Sequence, residues 1–333
     1  MAYLYITEQQ SCLRKTGDRL LVTKEDATLL DVQCHKVDGV LIFGNVQVTT
    51  QAVHELMEHD IELAILTRTG RLVGQLTSPA TKNIELRLNQ FRRYDDPGFC
   101  LTYARALVSA KIGNGRNVVL AHARNHPDPL LNSVAEELAR SGQSAAQAVC
   151  IDALRGIEGT AARIYFGALS AMIRTDLPFD GRHKRPPTDP VNALLSLGYT
   201  MLFNEIAALL DGLGFDPYLG FFHAIDYGRA SLAADLMEPF RAPVTDRFTL
   251  NLLNLGIFSK EDFKENPRGG AIYLREAALK RYFAEYESFM IREHSGPATE
   301  AGVTLRACLR HQAERLAAAL RDSIPFEPFC WEP

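Results

Sequence analysis

The sequence predicts an α+β protein in which a small N-terminal β-rich domain precedes a larger all-α domain. Short runs of β-branched and aliphatic residues fill residues 1–80. From Thr81 onward the apolar residues recur with a period of about 3.6, in long blocks of helix-forming residues. A length of 333 residues is also typical of two domains. The predicted domains are therefore residues 1–80 and residues 81–333.

The first domain consists of predicted strands separated by Gly, Asp and Asn. Thr69-Gly70 separates the last two strands, as in a tight hairpin, and one short helix is predicted near 50–59. The predicted strands are 3–7, 19–23, 40–44, 46–50, 62–67 and 71–77.

The second domain consists of helical blocks that Pro or Gly separates. One connection, 176–190, contains several prolines and a basic cluster, and it is predicted to be a mobile loop. The basic cluster is Arg182, His183, Lys184 and Arg185. The predicted helices are 81–94, 98–113, 130–147, 149–175, 190–211, 231–240, 246–255, 271–292 and 298–321.

Composition and charge exclude several classes of protein. Hydrophobic residues make up 47% and charged residues 23%, which excludes a disordered or collagen-like chain. The net charge of −4 argues against a surface that is positive throughout, so any DNA site must come from local basic clusters. The six cysteines are widely spaced and are expected to be reduced, mostly buried thiols. The N-terminal segment resembles no signal peptide and no membrane span is evident, so we expect a cytoplasmic protein that does not contact membranes.

Glu158 is the first candidate for a chemical role. It lies on a predicted helix among small residues, in the block GIEGTAARIYFGAL, where other backbones could approach closely. A buried carboxylate must be paired or bound to a cation. A solvated surface Glu is nevertheless the commoner explanation for a lone acid. Glu158 therefore needs partners elsewhere in the sequence.

A second block, GFFHAIDYGRASLAADLMEPFRAP, contains those partners. His223 follows an aromatic pair, and Asp235 and Glu238 stand three apart on the next predicted helix, so both acids share one face. Carboxylates with an imidazole suit a divalent ion such as Mg²⁺ or Mn²⁺. The alternative, a hydrogen-bonded core histidine beside a solvated acidic face, is about as well supported by spacing alone.

A family resemblance decides between these alternatives. Five segments resemble successive motifs of the CRISPR adaptation integrase family, the CRISPR-associated protein Cas1. They occur in the family's order and span most of 158–290. They are IEGTAARIYF, RPPTDPVNALLSLGYTMLFNEI, GFDPYLGFFH, SLAADLMEPFR and GGAIYLREAALKRYFAEYE. The β-rich start and helical second domain are also similar to that family.

The resemblance implies roles for four residues. Glu158, His223 and Glu238 match the catalytic residues and ligands of a divalent ion, Mg²⁺ or Mn²⁺. Asp235 is then a supporting acid. The implied reaction is spacer insertion, in which the 3′-hydroxyl of a double-stranded DNA fragment attacks a phosphodiester at the edge of a CRISPR repeat. A GxxxxGK[ST] loop is absent, which agrees with a reaction that hydrolyses no nucleotide.

The resemblance also implies partners. These are a second copy of the chain, a Cas2 dimer in a heterohexameric complex, and the prespacer and repeat DNA. The resemblance also implies that residues 1–80 supply much of the contact between the two copies. A Cas4 nuclease, fused or separate, is a further candidate. Two rival functions remain. One retains the metal site but is a nuclease that cuts branched or single-stranded DNA by water attack. The other is a non-enzymatic DNA scaffold in which the acids are structural.

The candidates for DNA contact rest on weaker observations. Arg182, Lys184 and Arg185 are basic residues of the Pro-rich loop, although exposed basic loops are usually only solvated. Arg241 could contact phosphate, but an ion pair with the acidic cluster is the stronger expectation. Tyr165 lies two helical turns after Glu158 and could stack near substrate, although packing in the core is commoner.

Overall fold

A computed structural model describes residues 2–68, 70, 72–76, 83–183, 186–266, 269–296, 299–322 and 324–332. The strands are β1 (Ala2–Ile6), β2 (Cys12–Thr16), β3 (Arg19–Lys24), β4 (Ala27–Gln33), β5 (Val37–Phe43), β6 (Gln47–Val48), β7 (Glu62–Leu66), β8 (Leu72–Leu76), β9 (Phe263–Glu265), β10 (Ile272–Leu274), β11 (Glu293–Gly296) and β12 (Thr299–Thr304). The helices are α1 (Thr50–Glu58), α2 (Ile84–Tyr94), α3 (Pro97–Asn125), α4 (Pro129–Ala146), α5 (Ile151–Met172), α6 (Pro190–Leu213), α7 (Ser231–Met237), α8 (Arg247–Asn254), α9 (Glu276–Met290) and α10 (Leu305–Asp322). The predicted α+β class, with strands first and helices after them, is confirmed.

The chain divides into two compact units. The first contains residues 1–82 and 275–291, and the second contains 83–274 and 292–333. This division differs from a single boundary after residue 80 because helix α9 belongs with the strands. Its Phe283 ring lies 5.1 Å from the ring of Tyr5 and 4.5 Å from that of Phe43. Aromatic packing of this kind joins segments that are distant in sequence.

Two four-stranded sheets form most of the first unit, with the orders β1-β5-β7-β8 and β4-β3-β2-β6. Strand β5 pairs in parallel with β1 and β7, whereas β7 and β8 pair antiparallel, as the predicted hairpin requires. Thr69 of that hairpin lies outside the described residues. The apolar core of the unit includes the fully buried Leu13, Leu20 and Leu56. Strands β2 and β4 were not predicted, because their outward residues are mostly polar or exposed.

Three helices of the second unit begin at the same signal, an Asp followed by Pro. Asp96, Asp128 and Asp189 each accept hydrogen bonds from backbone N–H groups of the first turn of α3, α4 and α6. Such a carboxylate accepts hydrogen bonds from first-turn N–H groups that have no acceptor within the helix. Pro has no N–H group and therefore needs no acceptor at the first helical position. These caps explain why the predicted starts of α3, α4 and α6 lie within one residue of the observed ones.

Helix α3 continues twelve residues beyond its predicted end at 113. The sequence Gly113-Asn114-Gly115 looks like a helix stop, yet the helix runs to Asn125. A Cβ atom at Gly115 would lie 3.2 Å from the Tyr165 ring. Gly115 therefore permits close packing of α3 on α5 and does not end the helix.

The segment after α7 is helical but irregular. A 3₁₀ turn spans Glu238–Phe240, and a π-helical turn, Arg241–Asp246, leads into α8. Pro239 and Pro243 lack the N–H groups that a regular α-helix would use, which accounts for the change in winding. A regular helix over 231–240 was predicted, and that prediction was wrong at its end. Glu238 lies on this irregular turn.

Helix starts in the last third of the chain were also predicted too early. Residues 272–274 form β10, which pairs antiparallel with β9, and 299–304 form β12, which pairs with β11. Pairing with the preceding strand of the chain overrides the local helical pattern there.

Within the described residues, one helix has the length and hydropathy of a membrane span. This helix is α6, and 78% of its apolar window is buried inside the protein. Such burial is typical of a core helix, which can pass the same test of length and hydropathy. All six thiols are free, but only Cys34 and Cys308 are buried, so the expectation of mostly buried thiols was wrong.

Candidate active site

An ammonium group joins two carboxylates in the second unit. Lys111 on α3 forms ion pairs with Glu158 on α5 and with Glu238 after α7, and its Nζ lies 2.5 Å from Glu238 Oε2. The three side chains are only 19%, 24% and 5% exposed, respectively. Because these charged groups have little access to water, each needs an opposite charge nearby. Glu158 and Glu238, which the sequence singled out together, thus share one cation.

His223 reaches the same cluster from the loop before α7. Its Nδ1 lies 2.6 Å from Asp235 Oδ1, and its Nε2 lies 3.8 Å from Glu238 Oε1. Because an ionised carboxylate only accepts, the Nδ1 atom carries the proton and donates it to Asp235. In the neutral ring the lone pair is then on Nε2, which faces Glu238.

Asp235 also holds the loop that carries His223. Its carboxylate is fully buried and accepts hydrogen bonds from the backbone N–H groups of Phe221, Phe222 and His223 at 2.6, 3.0 and 2.9 Å. With the imidazole this makes four donors for one side chain. Asp235 therefore determines both the path of the loop and the orientation of the imidazole.

Gly220 makes this close approach possible. A Cβ atom there would lie 2.8 Å from the Ser231 carbonyl carbon and 2.9 Å from Asp235 Oδ2. Both atoms are in rigid surroundings, one in backbone and one in a buried carboxylate. Any side chain at position 220 would push the loop away from Asp235.

We expect Gly220→Ala to lower the melting temperature, because displacing the loop breaks hydrogen bonds that are each worth about 1–3 kcal/mol. Gly212→Ala is the matched control. Position 212 lies on α6 with no atom within 4 Å of the added Cβ, so stability should stay equal or rise. Equal melting temperatures of the two variants would contradict this role of Gly220.

Positive charge keeps Glu238 ionised in its buried position. Burial alone raises the pKa of this carboxyl, but Lys111, Arg241 and His223 together lower the pKa to about 2. Arg241 Nη1 lies 3.4 Å from Glu238 Oε1. Glu238 Oε2 has its ion pair with Lys111 but no donor aligned for a hydrogen bond.

Arg241 is itself held by a buried polar network. Its guanidinium lies 4.3 Å from the centre of the Tyr199 ring, and the Tyr199 hydroxyl donates to Asp246. Burial lowers the pKa of Arg241, but Glu238, Tyr199 and Asp246 outweigh that effect and raise it. Arg241 therefore stays charged, in the ion pair that the sequence favoured over contact with DNA.

A C-terminal segment packs against the turn that carries Glu238. The Asn114 amide on α3 donates to the carbonyl oxygens of Pro239 at 2.6 Å and Phe329 at 2.9 Å, and it accepts from Trp331 N–H at 2.8 Å. The rings of Phe240 and Phe329 stack with centroids 4.5 Å apart. Both α3, through Asn114, and the C-terminal segment, through Phe329, thus contact the irregular turn.

The other predicted DNA-contact residues are placed differently. Tyr165 is buried against α3 rather than presented to solvent. Arg182 donates to Asn192 Oδ1 at 2.8 Å and to the Ser196 hydroxyl at 3.2 Å, which anchors the Pro-rich loop to α6. Lys184 and Arg185 lie outside the described residues.

The donor set suits a divalent cation. Glu158, His223 and Glu238 supply two carboxylates and an imidazole lone pair, which are common ligands of first-row ions and Mg²⁺. An ammonium already bridges the two acids, so the cluster attracts positive charge. Among the residues that the structure describes, no three such side chains converge closely enough to hold an ion as they stand. Lys111 instead lies between the two carboxylates and pairs with both.

Sequence reasoning missed Lys111, Asn114 and Tyr199. Lys111 is the one lysine of a long apolar helix, in the segment VSAKIGNG, and such an isolated charge on an apolar face is the signal that could have identified it. Asn114 follows it by three residues and so shares its face. No spacing rule links either residue to position 238, since the connection exists only in three dimensions.

Comparisons with known proteins agree with this fold. The family model of the CRISPR associated protein Cas1 matches residues 4–288. A CRISPR-associated endonuclease Cas1 of Chlorobaculum tepidum is 32% identical, with 98% of each chain covered. A CRISPR-associated exonuclease Cas4/endonuclease Cas1 fusion of Geobacter sulfurreducens is 34% identical over 98% of this chain, which spans 59% of that protein. In a solved Cas6-RT-Cas1–Cas2 complex, one chain matches 99% of this chain with TM-score 0.80 and 28% identity, and 36% of that chain is covered.

The α+β fold and these relatives define the class: an enzyme of the nuclease and integrase type. The chain belongs to the Cas1 family of CRISPR-associated proteins. The resemblance found in the sequence motifs is thereby confirmed.

Proposed function

We propose that this protein is a CRISPR adaptation integrase that joins the 3′-hydroxyl of a DNA fragment to a phosphodiester at the edge of a repeat. The observation that carries the proposal is the cluster in which Glu158 and Glu238 share a cation while His223 turns its Nε2 toward Glu238. This cluster lies in a chain that belongs to the Cas1 family. Phosphoryl transfer needs positive charge and positioning more than a covalent nucleophile.

Each residue of the cluster has a separate task. Glu158, His223 and Glu238 would hold one divalent ion, Mg²⁺ or Mn²⁺. Asp235 fixes the proton on Nδ1 of the imidazole, so that Nε2 remains a ligand. Arg241 keeps Glu238 ionised and oriented. A bound divalent ion supplies Lewis-acid chemistry, which lowers the cost of deprotonating the attacking hydroxyl and stabilises charge on the leaving oxygen.

Partners follow from the same proposal. The prespacer and repeat DNA are the substrates. Two copies of this chain associate through residues 1–80, and two such dimers flank a Cas2 dimer in a heterohexamer. The Cas6-RT-Cas1–Cas2 complex and the Cas4/Cas1 fusion support Cas2 and Cas4 as partners, because related chains occur in both.

The chemical identity of the attacking group tests the proposal. With Mn²⁺, Cas2 and a repeat-bearing plasmid, we expect a labelled fragment that ends in a 3′-hydroxyl to become joined to the repeat. The same fragment with a dideoxy or 3′-phosphate end should not be joined, since no other oxygen on it is positioned to attack. Joining is measured as label that migrates with the plasmid on a denaturing gel.

Two outcomes would contradict this mechanism. Joining of dideoxy-ended fragments at a comparable rate would remove the 3′-hydroxyl from the reaction. Plasmid cutting without joining, by contrast, would favour the rival nuclease that uses water. Glu136→Gln is a matched control for Glu158→Gln and Glu238→Gln. Because Glu136 is an exposed residue of α4, this variant should leave the rate of joining unchanged.

A further inference from the structure

Lys111 occupies the position that a divalent ion would need. Its ammonium forms an ion pair with both Glu158 and Glu238, the two acids proposed as ligands. A carboxylate oxygen within 2.5 Å of an ammonium nitrogen has little space left for a second cation. The ammonium and the ion therefore compete for the same oxygens.

We propose that Lys111 is a built-in counter-ion, which stabilises the metal-free site and must leave the carboxylate pair before a divalent ion binds. This inference rests on the proposed function. In the metal-free protein the ammonium offsets the repulsion between two poorly hydrated carboxylates. Lys111 is therefore a positioning residue that sets the affinity of the site for its ion.

The geometry provides a route for this exchange. The Lys111 side chain is 19% exposed and Glu158 is 24% exposed, so the ammonium can reach water without unfolding of α3. Lysine suits such a role because its flexible stem allows the charge to move by several ångströms. Glu238, by contrast, is fixed by its burial and by Arg241. The lysine is thus the part of the cluster that can move.

Removal of this charge should strengthen metal binding. In a calorimetric titration with Mn²⁺ at pH 8, we expect Lys111→Met to bind at least about ten-fold more tightly than the unchanged protein, since a unit charge a few ångströms from a cation outweighs one decade of affinity at the effective dielectric of a protein site. The melting temperature of metal-free Lys111→Met should fall, and Mn²⁺ should raise it by more than it raises that of the unchanged protein.

Two variants serve as controls. Lys111→Arg keeps the charge and should bind Mn²⁺ with an affinity within a few-fold of the unchanged protein. Arg163→Met removes a charge from an exposed position of α5 and should leave Mn²⁺ affinity unchanged, which separates the local effect from net charge. Equal or weaker binding by Lys111→Met would overturn the inference and leave the proposed function intact. Absence of saturable Mn²⁺ binding by the unchanged protein would instead overturn both.

A second measurement needs no variant, in case Lys111→Met does not fold. Brief acetylation of the unchanged protein, read by mass spectrometry, reports how often each lysine is free of its ion pair. We expect acetylation of Lys111 to rise several-fold when Mn²⁺ is added. Lys24 and Lys280 form ion pairs with Glu8 in the other unit and should not respond. Unchanged acetylation of Lys111 at saturating Mn²⁺ would contradict displacement of the ammonium.

Discussion

We expect Glu238→Gln to lower the rate of strand joining by at least about 10²–10³-fold, which is the usual cost of removing one electrostatic element of an active site. Glutamine keeps the volume of the side chain but removes the negative charge that Lys111, Arg241 and His223 surround. The expected loss therefore reflects chemistry more than packing. Joining of a 3′-hydroxyl fragment, measured under single-turnover conditions, reports it.

Glu158→Gln and His223→Ala should lose comparable activity, because each contributes to the same ion-binding cluster. DNA binding by these variants, measured by gel shift, should stay close to that of the unchanged protein. A Glu238→Gln variant that joins DNA as fast as Glu136→Gln would show that Glu238 is not a ligand.

Asp235→Asn should impair folding stability as well as activity. An amide can accept from some of the four donors around position 235, but its own NH₂ group would face another N–H, so the variant should lose about 3–5 kcal/mol of folding free energy. It should also lose the tautomer of His223 that presents Nε2. Thermal unfolding and strand joining should therefore both be impaired.

The matched control for Asp235 is Asp226→Asn. Asp226 lies exposed in the loop that follows His223 and accepts one hydrogen bond, from Tyr227 N–H at 2.9 Å. Its replacement should change stability by less than about 0.5 kcal/mol. If Asp235→Asn were as stable as Asp226→Asn and lost only activity, the proposed structural role of Asp235 would be wrong.

Local signals in the sequence predicted much of the fold. The Asp-Pro pairs mark helix starts because both residues act within one turn of backbone, and the starts of α3, α4 and α6 follow them. The end of α3 was not predictable in this way. Gly115 looks like a helix stop until the ring of Tyr165, fifty residues later, is known to pack against it.

The candidate site shows the same limit. The motif resemblance proposed Glu158, His223 and Glu238 together. In the structure Lys111 pairs with the two glutamates, and His223 Nε2 lies 3.8 Å from Glu238 Oε1. Lys111 belongs to none of those motifs, and its connection to two acids depends on the packing of α3 against two other elements. Residues that act through tertiary contacts in this way leave no fixed spacing in the chain.

The contact between Asn114 and the segment around Phe329 bears on when this protein becomes active during its synthesis. All three proposed ligands emerge from the ribosome well before residues 329–331. Until those residues arrive, the Asn114 amide lacks two of its partners and Phe240 lacks its stacking ring. We therefore expect the turn at Glu238 to stay loosely held in a nascent chain. The candidate site would in this way become ordered only after residues 329–331 have been made, so a product truncated before them should hold its proposed ligands loosely.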